Sequence, residues 1–431
     1  MSDAVGVPLR YHFSGIAGAG MNPLAQLLRS RGHYVQGSDR SFDQGRNGEI
    51  AARLRALDVR LLPQDGGAVT ADLDRVVFST AVEADTPELR AARALGLTLV
   101  PRPALLAEIV NAGRPGVALA GTSGKSTITG MVAWILRHAG TRATVLGGAA
   151  LVGEGTAGCF VPGREGEPVV AEACESDGTL VGYRPRLGLV HNVSRDHAEM
   201  DSLRRQFATF ARHCRTLLVN AACAEALAVG RAAGARTYGR SPQAEAPLEV
   251  IAAGPHQALG LLTLPTRELR LELPQPGVHN LDNAAAAALV ALELGAAPAT
   301  VETALACFPG VARRFEVVGT TAEGIRVVDD FAHNAEKIRA AVETAQSGCD
   351  RLLAVFQPHG FGPARFLRPE LRALLPRLLR RRDRWCYAPI FYAGGTVAMD
   401  VSSRMLADDL AADHPAACVE DHAAVVRWVV G

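Results

Sequence analysis

The sequence predicts an α/β fold in three consecutive domains: a Rossmann-like unit over residues 1–113, a central P-loop unit over 114–310 and a second Rossmann-like unit over 311–431. Three observations predict it. Short apolar runs alternate with helical patterns along the whole chain, as in Tyr11–Ser14, Val117–Ala120 and Leu352–Phe356. Glycine-rich turns follow the leading apolar run of the first two units. Polar residues collect just after the apolar runs, where open α/β sheets gather their ligands. A length of 431 residues is ample for two to four domains that each bury a core.

Bulk properties narrow the class. Hydrophobic residues make up 48% and charged residues 21%, and the formal charge of +1 offers no electrostatic basis for nucleic acid or an anionic membrane. The segment Met1–Leu9 has no basic region followed by an apolar core, and no apolar run reaches membrane-spanning length. The eight cysteines include no C-x-x-C pair and no zinc spacing, which fits reduced thiols of a cytoplasmic protein.

In the first domain, Tyr11–Ser14 reads as a strand. The turn Gly15-Ile16-Ala17-Gly18-Ala19-Gly20-Met21 follows, then a helix through Leu28 and a strand ending Gly37-Ser38-Asp39. An acid about twenty residues beyond the glycines is the spacing of a dinucleotide fingerprint. The glycines fall as G-x-x-G-x-G, however, with Ala17 where a strict G-x-G-x-x-G needs glycine. The pattern favours a nucleotide diphosphate over NAD. The alternation continues through Val76-Val77-Phe78-Ser79-Thr80-Ala81 and Leu97–Val100 and ends at Gly113-Arg114-Pro115.

The central domain opens with Val117–Ala120 running into Gly121-Thr122-Ser123-Gly124-Lys125-Ser126-Thr127 and a helix pattern beyond. Glycines let backbone N–H groups close around phosphate oxygens at the positive end of a new helix. Lys125 would reach the β/γ-phosphates, and Ser126 or Thr127 would place a hydroxyl on Mg²⁺. The chain uses arginine almost everywhere, and its only lysines are Lys125 and Lys337. The loop is therefore read as an ATP site. Val169–Glu172 and Leu187–Val190 read as strands that deliver Glu172 and the run His191–His197 toward Lys125, which makes Glu172 and His197 the candidate Mg²⁺-site residues. His279, Asn280 and Asn283 start an alanine-rich helix, suited equally to capping and to hydrogen-bonding a base.

In the third domain, strands end at Asp329-Asp330-Phe331-Ala332-His333-Asn334 and at Gln357-Pro358-His359-Gly360, both at one sheet edge. The Arg377–Arg384 run reads as the solvated end of a helix.

Taken together and in order, these motifs resemble the Mur ligases, which join amino acids or peptides to UDP-N-acetylmuramoyl precursors of peptidoglycan. The resemblance spans essentially the whole chain. It implies that Gly121–Thr127 is the ATP loop, that Glu172, His197 and Ser126 hold magnesium, and that His279, Asn280 and Asn283 form the H-N-x-x-N motif beside ATP. It also matches Arg314 to a family arginine near the second domain boundary, touching ATP, and Asp330 with His333 to the D-Y-A-H turn. The nucleotide sugar is expected on Gly15, Ala17, Gly18, Ala19, Gly20, Met21, Ser38 and Asp39, on Ser79, Thr80 and Ala81, and on His333 and His359. Lys125, His197, Arg314 and His333 are the expected catalytic residues, with the third domain closing to bring its groups in. The muramoyl carboxylate would attack the γ-phosphate of ATP to give an acyl phosphate, and an amine would then displace phosphate.

Within the family the likeness is to the alanine-adding branch, whose E-A-D-E-S-D motif appears here as Glu172-Ala173-Cys174-Glu175-Ser176-Asp177. With only two lysines, none is available for the carbamylated lysine of other branches. The Q-P-H-R-Y-x-R pattern of that branch is replaced by Gln357-Pro358-His359-Gly360-Phe361-Gly362-Pro363, so two arginines that would face the acceptor's carboxylate are missing, and Arg365 is shifted. A recycling ligase that attaches a whole tripeptide, or another acceptor, stays open. A nicotinamide-dependent dehydrogenase fits only the first domain, and a Mur-like binding protein without catalysis leaves Lys125, Glu172, His197 and Asp330 unexplained.

Overall fold

In the first sheet, β1 (Arg10–Ser14), β2 (Tyr34–Ser38), β3 (Arg60–Leu62), β4 (Arg75–Phe78) and β5 (Thr98–Pro101) are all parallel, in the order β3-β2-β1-β4-β5. The computed structural model describes residues 7–79, 85–154, 158–164, 166–176, 178–194, 199–392, 397–410 and 416–430. The order reverses between β1 and β4, so the crevice beyond their carboxyl ends is where such a sheet takes a ligand. The turn Gly15–Gly20 lies there, leading into α1 (Met21–Ser30). Helices α2 (Pro87–Ala94) and α3 (Arg102–Ala112) complete the parts of this domain that bear on a site.

The central sheet has ten strands. These are β6 (Gly116–Ala120), β7 (Thr144–Gly147), β8 (Cys159–Val161), β9 (Val169–Ala173), β10 (Leu187–Val190), β11 (Thr216–Asn220), β12 (Arg236–Gly239), β13 (Ala246–Ala253), β14 (Ala258–Leu264) and β15 (Arg267–Leu273). They run in the order β15-β14-β13-β12-β11-β10-β6-β9-β7-β8, with an antiparallel meander from β13 to β15. Strand β6 is buried on both faces, as parallel strands with helices on each side require. Its alternation sends Val117 and Leu119 into one apolar cluster, with α4 (Lys125–His138) and α5 (Val278–Glu293). Ala118 and Ala120 enter a second cluster that runs through Phe207 and Phe210 into α3 and the first sheet. The alanine run has a packing reason beyond helix propensity: Ala284–Ala288 are all fully buried between α4 and the sheet. Small faces bring helices close, and a Cβ on Gly130 of α4 would stand only 2.7 Å from Val311 Cγ2.

The chain divides after Glu316: residues 1–253 and 258–316 form one unit, and 254–257 with 317–431 form the other. The division falls slightly beyond residue 310 because the segment there is tied into the first unit. Val152 N donates to Gly310 O (3.1 Å), Ala312 N donates to Ala150 O (2.9 Å), and Leu151 pairs with Val311. In the second unit, β16 (Glu316–Thr320) and β17 (Arg326–Asp329) form one small sheet, and β18 (Leu353–Phe356), β19 (Arg384–Tyr387) and β20 (Ala417–Cys418) form a separate parallel one. Helices α6 (Ala335–Gln346) and α7 (Phe361–Leu378) cover the latter through Ile338, Val342, Leu371 and Leu375. The arginine run after α7 is more than a solvated helix end. Arg380 donates to the carbonyls of Gln346 and Cys349 (both 3.0 Å) and pairs with buried Asp383.

Gly116 opens β6 with its Cα against α3: a Cβ there would lie 1.9 Å from Val110 O. Gly116→Ala is expected to destabilise the protein by about 3 kcal/mol through forced backbone displacement. Gly48→Ala, where nothing lies within 4 Å, serves as the matched control. Calorimetric melting of both variants checks this, and equal midpoints would refute the steric account.

Candidate active site

The loop between β6 and α4 is shaped by two glycines, with φ of +151° at Gly121 and +84° at Gly124. The second conformation is one that L side chains rarely adopt. A Cβ on Gly124 would also meet Asn283 Oδ1 at 2.5 Å and His191 Cδ2 at 3.0 Å, so this glycine admits both neighbours to the loop. Lys125 opens the helix. Its Nζ donates to Gly121 O, curling the side chain over the loop, and to Glu175 Oε2 at 2.8 Å. Burial works to lower its pKa, but Glu175, then Cys174 and Glu172, outweigh that and hold it above the ordinary lysine value, so the ammonium stays charged. Ser126 Oγ donates to Glu172 Oε2 (3.2 Å), and Glu172 Oε1 accepts from Gly148 N (2.7 Å). Thr127 follows, half-buried in the first turn of α4.

Asn192, at the carboxyl end of β10, clamps the loop. Its Oδ1 accepts from Ser123 N (2.8 Å) and Thr122 Oγ1 (3.0 Å), and its Nδ2 donates to Ser123 O (3.2 Å). Ser123 Oγ is buried and takes no partner among the described residues, an unmet hydrogen-bonding group inside this loop. Asn283 Nδ2 donates to Asn280 Oδ1 (3.3 Å), and Asn280 Nδ2 donates to Pro276 O (2.8 Å). The two asparagines are thus locked to each other and to the start of α5, with Asn283 facing the loop. His279 is held below the ordinary histidine pKa, first by burial and then by the nearby Arg240. Arg240 itself forks onto Asp282, with Nε–Oδ1 and Nη2–Oδ2 distances of 3.0 Å. The sequence reading brought Lys125, Ser126, Glu172 and Asn283 to one place, and the structure brings them together there. It missed Asn192, His191 and Glu175 as site residues, although His191 and Asn192 immediately follow a strand, which is the positional signal for them. His197 lies outside the described residues, as do Thr80 and Ala81.

In the first domain, Gly15 N and Ile16 N donate to Ser38 O (2.9 and 3.1 Å), and Ala17 N donates to Asp39 Oδ2 (2.9 Å). Asp39 Oδ1 also accepts from Ser41 N (2.9 Å), so this acid both shapes the turn and caps the next helix. Gly18 and Ala19 are exposed and Gly20 half-buried, whereas Ala17 and Met21 are buried. The side chain of Ser38, an expected substrate-binding residue, is fully buried and donates to Glu88, as does that of Ser14. Gln36 Nε2 donates to His12 Nδ1 (3.2 Å), which leaves His12 Nε2 as the donor to Glu88 Oε1 (2.9 Å). Burial would raise the Glu88 pKa, but these donors outweigh it and hold the carboxyl below its ordinary range. Ser38 therefore supports the turn from beneath. Ser79 follows β4, half-buried.

Arg314 lies in the first unit, flanked by left-handed Arg313 and Phe315 (φ +59° and +50°), a backbone that non-glycine residues rarely take. In the second unit, His333 Nδ1 donates to Phe331 O (2.9 Å), so Nε2 is the acceptor facing Lys337 Nζ at 3.3 Å. Asp330 is half-buried in the same turn. His359 is exposed and stacks on Phe391 at 4.9 Å, with Phe331 6.1 Å away, so the two polar turns do meet. Arg365 is committed elsewhere: it pairs with Asp400, and its Nη2 donates to Ala398 O (3.1 Å).

A positively charged lysine, glycine-shaped amides and an unmet serine hydroxyl fit a nucleotide's phosphates. The hard oxygens of Ser126 and Glu172 fit Mg²⁺, which commonly takes one or two carboxylates plus substrate phosphates. Three family models match the chain in order: the Mur ligase family catalytic domain over residues 10–114, the Mur ligase middle domain over 119–291 and the Mur ligase glutamate ligase domain over 313–430. A UDP-N-acetylmuramate–L-alanine ligase from Renibacterium salmoninarum is 38% identical over 85% of this chain and 79% of its own. One from Arthrobacter is 36% identical over 98% and 89%. The solved UDP-N-acetylmuramate–alanine ligase of Thermotoga maritima superposes with a TM-score of 0.78 at 27% identity, covering 96% of this chain and 91% of that one. A murein peptide ligase from Psychrobacter arcticus shares the fold, at 22% identity and a TM-score of 0.69 over 98% and 92%. The chain belongs to the Mur ligase family. Its members are ATP-dependent ligases that form amide bonds, and this chain is such an enzyme. No helix among the described residues is long and apolar enough to cross a membrane.

His191 supplies a pH signature. Burial, with a smaller contribution from His279, lowers its pKa from 6.5 to about 4, and its Nδ1 lies 2.7 Å from the Tyr238 hydroxyl. The unfolded chain takes up a proton below pH 6.5 that the folded chain refuses until about pH 4. Stability is therefore full above 6.5 and falls through this window by about 3 kcal/mol. Melting curves from pH 7 to 4 are expected to fall more steeply for the wild type than for His191→Asn, and parallel curves would refute the assignment.

Proposed function

We propose that the enzyme joins L-alanine to the carboxylate of UDP-N-acetylmuramate at the expense of ATP, an early step in peptidoglycan synthesis in the cytoplasm. The observation that carries the reading is the convergence of Lys125, Ser126, Glu172, Asn192 and Asn283 on one glycine-shaped loop, in a chain similar throughout to alanine-adding relatives. Lys125 and the loop amides would neutralise the charge on the transferring phosphoryl group, where a preorganised cation in a mostly buried site is worth most. Glu175 keeps that cation charged and placed before the nucleotide arrives. Ser126 and Glu172, with His197, would hold Mg²⁺, which when bound adds positive charge at the phosphate oxygens. The turn Gly15–Met21 with Asp39 would carry the nucleotide end of the sugar. The muramoyl carboxylate would then take the γ-phosphoryl group, and the amine would attack the acyl carbon and expel phosphate. Arg314 and His333 are the remaining residues proposed to serve that chemistry.

One observation favours a second reading, the tripeptide-adding ligase. The missing arginines at Gly360 and Pro363, and the pairing of Arg365 with Asp400, leave the usual fork for a small amino acid's carboxylate unaccounted for.

Phosphate release with ATP, Mg²⁺ and UDP-N-acetylmuramate decides between them. L-alanine alone is expected to stimulate it; stimulation only by the tripeptide would install the second reading, and silence with every acceptor would overturn both. Lys125→Ala is expected to cut turnover by about a thousandfold or more while UDP-sugar binding, followed by calorimetry, stays nearly intact. Undiminished ligation by that variant would sink the scheme.

A further inference from the structure

We propose that His191 is a specificity-determining residue that reads the base of the nucleotide, its Nε2–H meeting the N7 acceptor of adenine. The proposal rests on the reading of the glycine-shaped loop as the ATP site. Asn283 Oδ1 and His191 Nε2 both lie within 3.3 Å of one point, the place that a Cβ on Gly124 would occupy. Hydrogen bonds behind each residue settle which atoms it presents there. Asn280 gives its Nδ2 to Pro276 O, so its Oδ1 accepts from Asn283 Nδ2, and Asn283 Oδ1 is left turned to the loop. Tyr238 is fully buried; burial, then Asp282 and Cys223, hold its hydroxyl well above the ordinary tyrosine pKa, so it keeps its proton. His191 Nδ1, at 2.7 Å, is the only partner of that hydroxyl among the described residues. The hydroxyl therefore donates to Nδ1, which assigns the ring proton to Nε2. His191 is 5% exposed and Asn283 4%, yet neither Nε2 nor Oδ1 meets a hydrogen-bond partner among the described residues. Polar atoms this enclosed and left unmet point to a ligand. A phosphate oxygen would suit the N–H but be repelled by the carbonyl. An edge that sets a donor beside an acceptor satisfies both, and adenine's amino group next to N7 is such an edge, whereas guanine sets two acceptors there. Asn283 belongs to the H-N-x-x-N motif; His191 stands outside it and outside the phosphate loop.

Removing one acceptor atom from the base isolates this contact. Titration calorimetry of the full chain with ATP, 7-deaza-ATP and inorganic tripolyphosphate, at one Mg²⁺ concentration, is run on the wild type, His191→Leu, His191→Gln and Tyr238→Phe. The wild type is expected to bind 7-deaza-ATP about tenfold more weakly than ATP, the loss of one enclosed hydrogen bond. His191→Leu is expected to bind ATP about tenfold more weakly than the wild type does and 7-deaza-ATP equally well, with tripolyphosphate unchanged within about twofold. His191→Gln, which returns an N–H on a side chain of similar reach, should restore part of the preference for ATP. Tyr238→Phe, which frees the ring to carry its proton on either nitrogen, should shrink that preference without abolishing it. Equal binding of the two nucleotides by the wild type overturns the proposal. A full preference for ATP in His191→Leu overturns it too, because another group then meets N7. So does an equal loss of ATP and tripolyphosphate, which marks a residue that only shapes the loop. The wild-type and Tyr238→Phe comparisons decide the matter even where His191→Leu fails to fold. A wild type that binds neither ATP nor tripolyphosphate fails the reading of the loop itself, and the proposal falls with it.

Discussion

The catalytic unit depends on keeping one ammonium charged while it is mostly buried. A lone lysine in such a place would release its proton to escape the cost of desolvation. Glu175 prevents this at 2.8 Å, and Gly121 O takes a second hydrogen bond from the same nitrogen. A buried pair of this kind is weak evidence for stability, because desolvation offsets much of the attraction. Its value here lies in position: the cation is fixed at the head of α4, over the loop where a nucleotide's phosphates would lie. The carboxylate, the loop and the strand ends around them are organised about that requirement.

Much of this was legible in the sequence. Gly124 and Lys125 announce their loop because few other uses of that spacing exist, and the scarcity of lysine sharpened the reading. Glu172 was legible because it ends an apolar run. Asn192 and Glu175 were not, since each acts through a partner some fifty to seventy residues away, and nothing local in either stretch states which oxygen or amide it will meet. Ser38 shows a different limit. It sits in a motif beside a ligand turn, yet its side chain alternates inward to a buried glutamate that the sequence places fifty residues on.

The fold was legible for similar reasons. The continuous apolar run of β6 and the βα rhythm of the first domain gave the parallel sheets. The boundary near residue 310 was set instead by two backbone hydrogen bonds and an isolated bridge to Leu151, which no composition shift marks. In the last unit the described strands form a parallel three-stranded sheet and a separate two-stranded one. Val317, Val318, Ile325 and Val327 of the β16–β17 hairpin stay largely exposed.

The alanine face of α5 has a consequence for how this protein tolerates change over time. Ala284–Ala288 set how near α5 stands to α4, and Asn283, one residue earlier on the same rod, touches the loop at Gly124. A single added methylene group in that face would lever the asparagine away from the nucleotide while leaving the sheet and its register in place. Drift in this core would thus silence the enzyme well before it unfolded it. Inactive descendants of such a chain would remain well-folded proteins, with their defect recorded in a buried helix face that never meets substrate.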